Sequence, residues 1–121
     1  MRLTPERLRE LGALAPHIYD FLAASFNYDW DLDYPDAESL YADSLDRLRP
    51  TARDQYVAEA RLLERELPDD ESVLEYIYWV GAAIDFEGDF GVSPVEWLRG
   101  LVERLEHPRP LRPEREQGSS R

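Results

Sequence analysis

Proline punctuates this chain, and that punctuation restricts its fold more than any other feature. Six prolines, at positions 5, 16, 35, 50, 68 and 94, divide residues 1–106. A proline has no backbone N–H and breaks a helix interior, but its fixed φ suits the first helical turn. Thr4-Pro5-Glu6 reads as an N-cap and helix start that carries Leu8 and Leu11 inward, with Gly12 and Pro16 expected to interrupt the helix. Pro16 opens a second helix, in which Ile18, Phe21, Leu22 and Ser25 recur at helical spacing and Phe26 extends the stripe. Pro35 and Asp36 start a third, with Ala37, Leu40, Tyr41, Ser44, Leu45 and Leu48 inward and Pro50 as its stop. Thr51 is expected to cap the next helix. Its apolar stripe is Tyr56, Val57, Ala60, Leu63 and Leu67, and its solvated face is Arg53, Glu59, Arg61, Glu64, Arg65 and Glu66. Pro68 closes that element, and Asp69 or Asp70 caps a helix holding Val73, Leu74, Ile77 and Val80. Tyr78 and Trp79 make this helix apolar around most of its circumference, which predicts the central position. Ser93-Pro94-Val95-Glu96 spells N-cap, first-turn proline and capping-box glutamate, ahead of Leu98, Leu101, Val102 and Leu105.

Only the acidic stretch from Asn27 to Asp36 alternates with period two, and its alternation has the proportions of a loop rather than a strand, so the predicted fold is all-α. Five or six helices form one compact bundle over residues 1–106, in a chain long enough to bury a core without metal or disulfide. From His107 onward, three prolines, four arginines and a Gly-Ser-Ser run predict a disordered tail.

Two acidic stretches stand outside the helical pattern. Asn27 to Asp36 reads NYDWDLDYPD. Unpaired buried carboxylates are costly and exposed aromatics uncommon, so a partly buried turn is expected, with Tyr28, Trp30 and Tyr34 inward and Asp29, Asp31 and Asp33 outward. Asp85 to Val92 is acidic and glycine-containing. The net charge is −12, and because residues 107–121 carry four arginines and two glutamates (+2), residues 1–106 carry −14. Asn27–Asp46 has seven acids and no base, and Asp69–Glu96 has eight and none. Such windows steer basic proteins and repel polyanions, so nucleic acid is not an expected partner.

Chemistry is sparsely furnished. There is no cysteine, and His17 and His107 lie at opposite ends of the chain, so no nucleophile with an orienting base can be nominated. No phosphate-cradling glycine loop is present, and the chain is expected to be a non-enzyme without cofactors. Asp85, Glu87, Asp89 and Glu96 occupy positions one, three, five and twelve of an EF-hand-like loop. Phe90 stands where the sixth position needs glycine, which leaves a degenerate calcium loop as a minor alternative. No apolar run is long enough to span a bilayer and no signal-peptide core is seen, so a soluble, cytoplasmic protein, monomeric with Trp79 in its core, is expected.

The succession of Phe21, the NYDWDLDYPD turn, a helix beginning AESLYADSL, a long middle helix, an acidic loop and the ending SPVEWLRGLVERL resembles the CdiI-type immunity proteins of contact-dependent growth inhibition systems. The similarity spans roughly Pro16 to Glu106. It is most specific at Asp29, Trp30, Asp31, Leu32, Asp33 and Tyr34, and again at Glu96, Trp97 and Leu98. Phe90 looks like an extra residue within the acidic loop, and Met1 to Ala15 has no counterpart. The resemblance implies a small cytoplasmic protein that binds and blocks the C-terminal toxin domain of a larger effector, commonly a nuclease with a basic cleft. On that expectation Asp29, Asp31, Asp33, Tyr34, Asp36, Asp85, Glu87 and Asp89 supply the toxin-binding face, and Trp30 and Trp97 are core residues touching one another. A helical adaptor for some other basic protein is the alternative.

Overall fold

A computed structural model describes residues 3–109. Their elements are α1 (Pro5–Leu14), α2 (Pro16–Ser25), α3 (Trp30–Asp33), α4 (Ala37–Ser44), α5 (Pro50–Glu66), α6 (Asp70–Val80), a π-helical turn (Phe86–Phe90) and α7 (Pro94–Glu106). The protein is all-α, and no strand occurs among the described residues. The disordered-tail expectation falls mostly on residues 110–121, outside the described residues, but Arg109 is engaged: its Nη1 donates to Glu38 Oε2 at 2.9 Å.

Several helix ends follow their sequence signals. The Thr4 side chain accepts the Arg7 N–H at 3.0 Å. Asp69 and Ser72, and Ser93 and Glu96, close capping boxes at the starts of α6 and α7. Gly12 does not interrupt α1, which runs on to Leu14. The glycine serves packing instead, because a Cβ there would lie 2.8 Å from the Trp79 ring. The break falls at Ala15 alone, with Pro16 taking the first position of α2.

Pro50 opens α5 rather than stopping α4, which already ends at Ser44. Arg49 therefore holds the N-cap position expected of Thr51, and it makes no side-chain cap bond. Two residues assigned to the solvated face of α5 turn inward. Glu59 Oε1 accepts the N–H groups of His17 and Ile18 at 2.8 and 3.0 Å, and its Oε2 lies 2.6 Å from His17 Nδ1. A carboxylate from α5 thus caps α2, which has no side-chain cap of its own. Arg53 reaches the carbonyls of Leu48 at 2.9 Å, Leu45 at 3.4 Å and Leu105 at 3.5 Å, tying the ends of α4 and α7 together.

The bundle is built on α5 and α7, which pack along each other, with α2 against α5 and α6 against α7. Helix α6 is not central. Its Val73, Tyr76, Ile77 and Val80 are buried, but Tyr78 is 86% exposed and Leu74 47%. An aromatic side chain raised the apparent hydrophobicity of a face that is left largely exposed.

Candidate protein-interaction face

The acidic turn is helical where alternation had been expected. Residues Trp30–Asp33 make one turn, in which successive side chains rotate by about 100° rather than flipping between two faces. Trp30 is accordingly buried, while Leu32 is 80% exposed. Tyr28, expected inward, is 89% exposed. Tyr34 is half-buried, and its hydroxyl donates to Asp43 at 2.7 Å, a bond that pushes the phenol pKa up.

Two hydrogen bonds fix this turn against a segment more than fifty residues away. The Trp30 indole N–H donates to the Ala83 carbonyl at 2.7 Å, and the Ala83 N–H donates to the Phe26 carbonyl at 2.7 Å. The two acidic windows therefore meet. Tyr28, Trp30 and Asp31 form a cleft of about 400 Å³ with Ala83, Ile84, Asp85 and Asp89.

The second window is shaped by its widened turn. Gly91 ends the π-helical turn at φ 69°, a left-handed conformation that suits glycine, and its N–H bonds the carbonyls of Phe86 and Glu87. The wider turn accommodates Phe90, the residue that looked inserted, and directs it into an aromatic cluster. Phe90 lies 6.1 Å from Phe26, 5.8 Å from Tyr41 and 6.2 Å from Trp97, measured between ring centroids. Trp30 and Trp97 are both buried, but Phe26 and Phe90 stand between them, and they do not form a ring pair. The Trp97 indole N–H donates to the Tyr41 hydroxyl at 3.0 Å. Burial raises the Tyr41 pKa and this bond opposes the rise, so the phenol stays neutral at ordinary pH.

The carboxylates divide by what they already hold. Asp36 caps α4, accepting the Ser39 N–H at 2.8 Å and its hydroxyl at 2.7 Å, which lowers the Asp36 pKa. Asp89 accepts the Asp85 N–H at 2.9 Å, and Glu96 accepts the Ser93 N–H at 3.1 Å in its capping box. Asp29, Asp31, Asp33, Asp85 and Glu87 are exposed, and their carboxylates take no partner among the described residues. Of the eight residues expected to bind a partner, Tyr34, Asp36 and Asp89 thus also serve the fold, and five carboxylates are left free. Leu98 and Trp97 are core residues, whereas Leu32 is not.

No group of three or more His, Asp or Glu side chains among the described residues stands close enough to hold a metal ion. In particular Asp85, Glu87, Asp89 and Glu96 do not converge as an EF-hand loop would require, because Phe90 is drawn into the core and Glu96 into its cap. No described helix is long and apolar enough to cross a membrane.

A larger groove of about 750 Å³ adjoins the cleft, and Asp89 lines both. Its walls come from α4 and α7, with Glu38, Glu103, Arg104 and Arg109 at the rim and Tyr41, Phe90 and Trp97 below. Sequence reasoning missed Glu38, Glu103 and Arg104. Their only signal was position, on the polar sides of two helices that turn out to be neighbours.

Comparison with protein-family models, with curated proteins and with solved structures yields no match.

Proposed function

We propose that this chain is an immunity-type protein of the cytoplasm, which neutralises a basic toxin domain by binding it one to one rather than by catalysis. The observation that carries this reading is the pairing of exposed apolar side chains with unpartnered charge. Tyr28 and Leu32 are more than three-quarters exposed beside Asp29, Asp31 and Asp33, and the cleft brings Asp85 alongside Tyr28. A tyrosine on a stitched turn is a low-entropy anchor, and the free carboxylates steer a cationic surface towards it. A nuclease cleft that binds phosphate has such a surface, and an acidic plug would fill it. The resemblance to CdiI-type proteins rests on the same turn and on the Glu96-Trp97-Leu98 helix start.

The test is calorimetric titration with the C-terminal domain of the large secreted protein encoded beside this one, at low and moderate salt. Tight one-to-one binding that weakens with salt is expected. Tight binding indifferent to salt would remove the electrostatic account while keeping the immunity reading. Absence of a complex would turn attention to a helical adaptor with some other basic partner.

A further inference from the structure

We infer that the groove between α4 and α7 is a seat for an arginine-bearing segment of a protein partner, and that Arg109 of the chain itself holds this seat when the partner is absent. This deepens the reading of the protein as a binder of a basic partner and rests on it. The lining carries five carboxylates, Asp36, Glu38, Asp89, Glu96 and Glu103, against the guanidinium groups of Arg104 and Arg109. Arg104 is not a free counter-charge. Its side chain is 9% exposed, and it bonds Asp46 at 2.9 and 2.8 Å and Glu38 at 3.2 and 2.9 Å.

Arg109 is held differently. It bonds Glu38 through one nitrogen at 2.9 Å, and its side chain is 65% exposed. An exposed, single-bonded ion pair is weak and screened by salt, so a partner guanidinium can displace it. Glu103, on the opposite wall, has no ion pair among the described residues and offers a second carboxylate. The floor explains a preference for arginine over lysine. Tyr41 already takes the Arg104 guanidinium over its ring at 5.5 Å, and beside it Phe90, which is only partly buried, presents a further aromatic surface. A planar guanidinium can stack there and still bond a carboxylate with two N–H groups, which an ammonium cannot do.

The three indole N–H signals of the nitrogen-15-labelled full chain test this directly. Trp97 reports the groove and Trp30 the cleft. Trp79, packed on Tyr19 5.4 Å away, is the remote control. Blocked hexa-arginine is the probe, with blocked hexalysine beside it. A saturable shift of the Trp97 signal is expected, with hexa-arginine binding about threefold more tightly than hexalysine. Glu103→Gln should weaken binding by about two- to fivefold, and Arg109→Ala should tighten it by a similar factor. Shifts confined to Trp30 would overturn the groove assignment and leave the acidic-face reading standing. No saturable shift at any indole would also overturn it, while the calorimetric titration decides the broader reading separately. Weaker or unchanged binding by Arg109→Ala would overturn the placeholder role.

Discussion

Asp46 and Asp31 are the same residue type in the same acidic window, yet they do opposite things. The Asp46 side chain is 3% exposed and meets Arg104, 9% exposed, through two short bonds. Arg104 also bonds Glu38 and lies over Tyr41, so this carboxylate helps fasten the α4 end to α7. Asp31 and its neighbours Asp29 and Asp33 are exposed and take no partner among the described residues. The chain's net charge is thus not one property. Part of it is consumed by the fold, and part is left exposed beside Tyr28 and at the mouth of the cleft.

The contrast is broken most forcefully at the clamp. Arg104→Ala should cost about 3 kcal/mol, because it leaves a buried carboxylate without its counter-charge, and urea unfolding would measure this. The acid limb provides a second reading. Hydrogen bonds from Arg104 hold the Asp46 pKa below its ordinary 3.8 despite burial, so the unfolded chain binds the proton more readily. Asp46 therefore contributes stability that is full above pH 3.8 and lost as pH falls through the depressed value. The caps Asp36, Asp69 and Glu96 are lowered in the same direction by their serine partners and add to the loss. In Arg104→Ala the largest cause of the depression is gone and only Arg109 still opposes burial, so the Asp46 pKa moves up, and the gap between variant and parent should narrow as pH falls below 3.8.

A smaller effect is expected where a carboxylate caps a helix from outside it. Glu59→Ala removes the acceptor for the His17 and Ile18 N–H groups and should cost about 1 to 2 kcal/mol. Glu59→Gln retains an acceptor oxygen while losing the charge, so its cost should be the lesser of the two. Thermal melts of both variants check the ranking. Equal losses would mean that charge, rather than the bonds to α2, is what Glu59 contributes.

How legible all this was depended on the range of the interaction. Helix starts written within four residues, such as Asp69 to Ser72 and Ser93 to Glu96, were plain because cap and partner are sequence neighbours. Glu59 and Arg53 read as solvated in the sequence because their partners, α2 and the carbonyl ends of α4 and α7, lie on other elements and leave no periodic trace on α5. Pro50 misled for a related reason: a proline can stop one helix or start the next, and the local sequence allows both. At the candidate site the acidic residues were visible, but their meeting was not. It depends on the Trp30 indole reaching the Ala83 carbonyl, and a tryptophan announces burial without naming its acceptor. The exposure of Tyr28 and Leu32 was hidden by apparent alternation, since four residues fit a period of two as readily as one turn of helix.

The finest test of the contrast lies at the free carboxylates. Replacing Asp29, Asp31 and Asp33 together with asparagine should leave stability within about 0.5 kcal/mol of the parent, since no bond is lost and like-charge repulsion is relieved. Some stabilisation is the favoured sign, because the three charges sit at alternate positions of one short exposed stretch with no base in the window from Asn27 to Asp46. Association with a basic partner should slow about tenfold at low salt, and the difference should shrink as salt screens the remaining charge. Dissociation should change less, because Tyr28 and Leu32 are untouched and contacts made after docking govern the off-rate. A loss of stability approaching that of Arg104→Ala would show that these aspartates hold structure after all, and the distinction between spent and free charge would fail at the place where it matters for binding.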